Sequence, residues 1–306
     1  MSIAFHQHEH FESLTLDPDG LYLILGYGTG DTFNALIHLA KAPPLRPYEL
    51  VIKAPQENLV RFLLGVFPMP PRAVHSIPYW KHDFSPLLAA RFPSLPFLRG
   101  VEPNMQQGGL VDFWQHPFNY QKIIPLTGAD IGVIRAYLRA VPPVNPLPEG
   151  AVILFTTAGA NFTDYIPDWA GIVERLKARG VEHIYFNHSG VADYGNEIVP
   201  GGIPLHLKHD ELIRSVYGGT RLKLLSVRSG MIDILRFSRQ RALVLYQPQP
   251  EGIFETCRFG LLKHNLDLLE VMCLNHSREQ QDAQIHHYID KFLTSPIDGG
   301  LDEAFV

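Results

Sequence analysis

AVILFTT (151–157), DWAGIVERLKARG (168–180), VEHIYF (181–186), LKLLSV (222–227) and ALVLYQ (242–247) carry the pattern that decides the fold. The four apolar runs are short and lack the in–out polar alternation of a strand with one wet face. They read as parallel strands buried on both sides. The run from Asp168 to Gly180 has apolar residues at helical spacing, an acid at its start and a glycine to stop it. DELIRSVYGG (210–219) and MIDILRFSRQ (231–240) read as further helices. Strand and helix in alternation imply a parallel sheet with helices on both faces.

The pattern recurs upstream. LYLIL (21–25), ELVIKA (49–54) and AVHSI (73–77) read as strands; TFNALIHLAKA (32–42), ENLVRFLLGVF (57–67) and DIGVIRAYLRA (130–140) read as helices. Between Pro78 and Pro125 the periodicity dissolves into prolines and aromatics. AVPPVNPLPEG (140–150), with four prolines, interrupts regular structure and reads as a linker. The expected architecture is α/β: two Rossmann-like domains, residues 1–140 and 151–306, joined by a Pro-rich segment at 141–150, with their parallel sheets facing a cleft. Ligands of such sheets sit at the carboxyl ends of the strands.

Composition narrows the class. The 306 residues are 46% hydrophobic and 19% charged, with net charge −5, enough for one large or two ordinary cores. Residues 1–150 hold 11 basic and 12 acidic groups and the remainder 15 and 19, so neither half has the basic excess that nucleic-acid binding needs. Cys257 and Cys273 are too few for a disulfide framework, which fits a reducing cytoplasm. MSIAFHQHEHFESL has neither the basic start nor the apolar run of a signal peptide. No uncharged apolar run reaches the roughly 18 residues of a membrane span.

Three loops carry candidate chemistry. After the first strand comes Gly26-Tyr27-Gly28-Thr29-Gly30-Asp31. A dinucleotide fingerprint would need glycine where Asp31 stands, and no Gly-Lys-Ser/Thr follows to make a P-loop. Gly28, Thr29 and Gly30 let the backbone turn beside a ligand, and Asp31 at a helix start is placed to accept a proton from a hydroxyl. The alternative is that Asp31 is the helix N-cap. Ser226-Val227-Arg228-Ser229-Gly230-Met231-Ile232-Asp233 also links a strand to a helix. Free amides there suit a diphosphate, with Ser229 as hydroxyl donor, Gly230 allowing close approach and Arg228 adding charge. The alternative is an ordinary cap with Arg228 in solvent. Thr156-Thr157-Ala158-Gly159-Ala160-Asn161 is of the same kind, with Thr157, Gly159 and Asn161 as candidate contacts.

Together these residues resemble the two-domain GT-B glycosyltransferases, in particular the bacterial lipopolysaccharide heptosyltransferases. Gly30-Asp31 matches a Gly-Asp pair whose aspartate is thought to be that family's catalytic base. AVILFTTAGANFTDYIPDWAGIVERLKARG (151–180) is similar to the strand, small-residue loop and Trp-containing helix that open its donor domain. Arg228 to Asp233 stands where the family has Asp-Thr-Gly-x-x-His on the donor diphosphate; Arg228 replaces the acid and Asp233 the histidine. ALVLYQP resembles the strand and turn that follow. The likeness spans most of 151–250 and the loop region of 21–41. It implies an acceptor-side first domain, a donor-binding second domain holding a nucleotide-sugar as substrate with no resident cofactor or metal, and a glycan or lipid-linked acceptor. Direct displacement with Asp31 as base would invert the sugar. The expected location is the cytoplasm, at the inner face of the membrane.

Other features stand outside that scheme. His6, His8 and His10 alternate, so on a strand they would share one face and suit a metal; a solvated, mobile terminus is the alternative. His206 and His209 read as ribose contacts or as a polar loop capped by Asp210. Residues 77–100 read as an acceptor flap, a membrane-facing patch or an irregular packed loop. REQQDAQIHHYIDKFL (278–293) reads as a helix that packs back on the first domain. Two other functions fit the fold: a nucleotide-sugar epimerase, and a non-catalytic glycan- or nucleotide-binding protein.

Overall fold

The structure, a computed structural model, describes residues 3–25, 28–41, 44, 47–66, 70–78, 85–93, 97–99, 109–112, 127–143, 145–156, 167–187, 199–238, 240–246, 267–272 and 277–294. The chain forms two compact units, Met1–Tyr137 and Leu138–Val306.

The first unit contains β1 (Ala4–Gln7), β2 (Leu21–Leu25), α1 (Thr29–Lys41), β3 (Glu49–Lys53), α2 (Glu57–Val66), β4 (Ala73–Ile77), α3 (Ser85–Arg91), β5 (Phe97–Arg99) and β6 (Gly109–Asp112); α4 (Gly128–Arg139) ends just beyond it. Its sheet runs β1-β4-β3-β2-β6-β5, and every pairing is parallel. All five residues of β2 are buried, as its unbroken apolar run requires. Tyr22 and Ile24 pack with Leu14, Val51, Ile77 and Leu88 on one face. The segment 77–100 is not irregular throughout: it supplies α3 and β5, and Leu88 of α3 enters this core. Residues 4–7 form a strand. β1 pairs with β4 in the register His6↔His75, so the expected mobile terminus is an edge strand.

The second unit contains β7 (Val152–Phe155), α5 (Trp169–Ala178), β8 (Ile184–Asn187), β9 (Ile203–Leu205), α6 (His209–Tyr217), β10 (Lys223–Val227), α7 (Gly230–Leu235), β11 (Arg241–Tyr246), β12 (Asp267–Met272) and α8 (Arg278–Thr294). Its sheet is again parallel, in the order β12-β11-β10-β7-β8-β9. The expected α/β class with two parallel sheets is what the chain adopts. α5 opens on Asp168, whose Oδ1 accepts the Gly171 amide at 3.1 Å, and closes before Gly180 at φ +83°, a left-handed turn that suits glycine. α7 covers only five of the ten residues expected to be helical, Met231 to Leu235, and starts one residue earlier at Gly230.

α8 packs on the second sheet, against β11, β12 and α5. Ile285, Ile289 and Phe292 recur every three or four residues, and this stripe is buried in the core with Val152, Leu154, Leu243 and Leu245. Asp290 accepts from Arg175 of α5 and from Arg179 at its C-cap, and Arg241 donates to the Phe292 carbonyl at 3.2 Å. Its apolar stripe is used within the second unit. Among the described residues no helix is long and apolar enough to cross a membrane.

Candidate functional site

In an open parallel sheet the loops after adjacent strands diverge where the strand order reverses, and ligands bind in the crevice left there. In the first sheet the order reverses at β2: β3 and β4 follow on one side, β6 and β5 on the other. The loop after β2 carries Gly28, Thr29, Gly30 and Asp31. Thr29 and Gly30 are the first two helical residues of α1, and Asp31 is the third. The Gly28 carbonyl accepts the Thr32 amide at 3.0 Å and the Thr32 hydroxyl at 3.1 Å. Gly28 therefore holds the N-cap position, which the capping alternative had given to Asp31. Asp31 belongs to the first turn of α1.

The second sheet reverses between β7 and β10. β8 and β9 extend one side, β11 and β12 the other. Phe155, the last residue of β7, pairs with Ser226 near the end of β10. Both strands leading to the proposed donor loops thus end side by side. The first of these loops, with Thr157, Gly159 and Asn161, lies outside the described residues.

The second loop is described in full. The Arg228 amide donates to the Leu245 carbonyl at 2.9 Å, extending the β10–β11 ladder by one residue. Its guanidinium forms a two-pronged pair with Asp233, Nη1 to Oδ2 and Nη2 to Oδ1, each 3.0 Å, and Nη1 also donates to the Ser229 carbonyl at 2.7 Å. Arg228 is 7% exposed and Asp233 5%, so the solvated Arg228 of the capping alternative is not what the chain builds. The structure brings these two predicted residues together as one neutral clip across the Ser229–Gly230 turn. Ser229 is extended, at φ −150° and ψ 165°, and its hydroxyl makes no bond to the α7 backbone. That hydroxyl is buried without a hydrogen-bond partner among the described residues.

One residue at this edge escaped the sequence reading. Asn187 ends β8, is 8% exposed, and its Oδ1 also has no partner among the described residues. The available signal was a lone amide ending an otherwise apolar and aromatic strand. α6 begins at His209, whose pKa is held below its usual value by burial, with Asp210 opposing. The cap expected from Asp210 comes from Glu211, whose Oε2 accepts the Lys208 amide at 2.8 Å.

The histidine series lies on the first sheet. His8 Nε2 is 3.1 Å from His75 Nδ1, and His75 Nε2 is 2.8 Å from Glu49 Oε2. His6 and His8 both stack on the His75 ring, at 5.2 and 5.4 Å. Glu49 accepts from His75 Nε2. Among the described residues no group of three or more His, Cys, Asp or Glu is arranged to hold a metal. Nearby, His10, Phe11, Glu12, Pro78, Leu87, Ala90 and Arg91 line an open hollow of about 640 Å³.

No protein-family model matches the sequence, and no curated protein matches it. Among solved structures, the chain is similar to the E. coli heptosyltransferase WaaC with ADP-2-deoxy-2-fluoro heptose: TM-score 0.52 at 13% identity, over 88% of this chain and 98% of that one. The same enzyme with ADP gives 0.47 at 10% identity, over 88% and 96%. A glycosyl transferase family 9 protein from Veillonella parvula gives 0.43 at 11%, over 91% of each chain. The fold expected from the heptosyltransferase resemblance, two Rossmann-like units of the GT-B kind, is the fold found.

Two outcomes test these contacts. Removing one partner of a buried ion pair strands the other's charge, so Asp233→Ala should destabilise the protein by about 3–5 kcal/mol in urea unfolding. The double change Arg228→Met, Asp233→Leu should recover most of that loss. Burial, then His75 and His6, hold the His8 pKa below its usual 6.5. The folded state therefore resists protonation there: the contribution of His8 is complete above about 6.5 and is lost as pH falls below it. Amide exchange in β1 should accelerate between pH 7.5 and 5 relative to β2, and His8→Gln should flatten that dependence.

Proposed function

We propose that the chain is a glycosyltransferase that moves a sugar from a nucleotide-activated donor to an acceptor hydroxyl, in the synthesis of a bacterial surface glycan or related glycoconjugate. The observation that carries this reading is the reversal point of the second sheet. The two loops singled out for a donor diphosphate follow β7 and β10, the neighbouring strands between which the order reverses. The likeness to WaaC, whose structure holds a nucleotide-sugar analogue, supports it.

In this scheme the second unit holds the donor. Ser229 donates its hydroxyl to the diphosphate, Gly230 leaves room for the phosphate against the backbone, and Thr157, Gly159 and Asn161 supply the loop after β7. The Arg228–Asp233 clip fixes the turn without adding net charge, so its role is to position Ser229 rather than to neutralise phosphate. The first unit holds a glycan or lipid-linked acceptor. Asp31 takes the proton of the acceptor hydroxyl as its oxygen bonds to the anomeric carbon. The bond from that carbon to the diphosphate oxygen breaks, the nucleoside diphosphate leaves with the electron pair, and one displacement inverts the centre. No step uses a divalent metal. The chain works in the cytoplasm, at the membrane face where a lipid-linked acceptor is presented.

Asp31→Asn keeps the side-chain shape and removes the base. With saturating donor and acceptor, single-turnover transfer should fall by about 10²–10⁴-fold while donor affinity persists, and wild-type transfer should survive EDTA. A wild-type rate in Asp31→Asn would remove Asp31 from the chemistry. Isomerised donor formed without any acceptor would make the protein an epimerase instead.

A further inference from the structure

Buried polar groups are nearly always hydrogen-bonded, because leaving one unmet forfeits its interaction with water for nothing in return. At the carboxyl edge of the second sheet two such groups are unmet among the described residues: Asn187 Oδ1 and Ser229 Oγ. Both side chains are more than nine-tenths buried, at 8% and 7% exposure. They flank β7, Asn187 at the end of β8 on one side and Ser229 just beyond β10 on the other. The registers Leu154↔Phe186 and Phe155↔Ser226 place Asn187, Phe155 and Ser226 in one row across three strands. Side chains alternate along a strand, so Asn187 lies on the face opposite Phe186, which belongs to the α5–α8 core. A further unmet group, the Trp169 indole N–H, belongs to a side chain within that core.

The chemistry of the two groups differs. A hydroxyl can donate to a phosphate oxygen. An amide oxygen only accepts, and phosphate oxygens have no proton to give it at neutral pH. The ligand group that meets Asn187 Oδ1 is therefore a hydroxyl or an N–H. We propose that Asn187 is a donor-site residue whose Oδ1 accepts a hydrogen bond from the nucleoside half of the sugar nucleotide, a ribose hydroxyl or a base N–H, while Ser229 serves the diphosphate. The ligand then runs over the end of β7 from the β10 loop to the end of β8. This rests on the donor reading above and adds a contact that the sequence motifs did not contain.

The test is calorimetric titration of ADP, GDP, UDP and CDP into wild type, Asn187→Ala and Asn187→Leu, with thermal melts of each protein free of ligand. At least one nucleoside diphosphate should bind wild type, and both variants should weaken it about tenfold, the loss of one hydrogen bond. The ligand-free melting temperature of Asn187→Leu should hold or rise, since an unmet polar group has been removed. The 2′-deoxy and 3′-deoxy forms of the bound nucleotide sort the two sources: a matching tenfold loss with either, on wild type alone, assigns that ribose hydroxyl, and unchanged affinity with both assigns the base. Equal affinity in wild type and Asn187→Ala overturns the proposal and leaves the donor reading standing. A ligand-free melting temperature lowered in both variants overturns it too, by making Asn187 a residue of the fold. If no nucleoside diphosphate binds wild type, the donor reading fails and this contact fails with it.

Discussion

A parallel strand buried on both faces can offer polar groups to a ligand only at its ends. That constraint organises both units of this chain. β2 and β7 are apolar along their lengths and β10 is interrupted only by Lys223 and Ser226, so most of the polar residues attached to these strands stand in the loops that follow. Which loops share a crevice is then decided by strand order alone. In the second sheet the reversal between β7 and β10 selects the segments beginning at Thr156 and Arg228. In the first it selects the segment ending at Asp31. The candidate site follows from topology before any side-chain contact is considered.

The side chains then set how firmly each loop is held. The β10–α7 turn is fixed by a charge pair that costs desolvation and is recovered only through good geometry, two 3.0 Å bonds and a third to the Ser229 carbonyl. Among the described residues the same turn leaves the Ser229 hydroxyl unmet, and the end of β8, on the far side of β7, leaves the Asn187 oxygen unmet. Rigid support combined with unmet polar groups is the arrangement expected of a preorganised binding edge, since functional sites are where the rule of full satisfaction is broken.

Much of the fold was legible because the strands of 151–246 are continuous apolar runs separated by helical periods. The strands that escaped notice are those whose local signal is weak, among them the three-residue β5, FLR, and β9, IPL. β1 is AFHQ, half polar and at a sheet edge; β6 is GLVD, four residues amid prolines and aromatics; β12, DLLEVM, carries two acids. Tertiary pairing holds them in place. The site was legible at the level of loops and not of contacts. The series Arg228 to Asp233 was recognised, but that its two ends form one clip depends on α7 turning the carboxylate back toward the strand end. Asn187 sat one residue past a strand read as ending at Phe186. The partner of α8 was not legible, because an amphipathic stripe says that a helix must pack and not on which sheet.

The claim at the centre is that the carboxyl edge of the second sheet, between β8 and β10, is where a nucleotide binds. Hydrogen–deuterium exchange with and without a saturating nucleoside diphosphate tests it most directly. Protection should concentrate at the ends of β7 and β8 and across Arg228 to Met231, with β9 and the amino-terminal half of each strand unchanged. Protection that bypasses the 228–231 turn, or falls only on the first unit, would contradict the assignment.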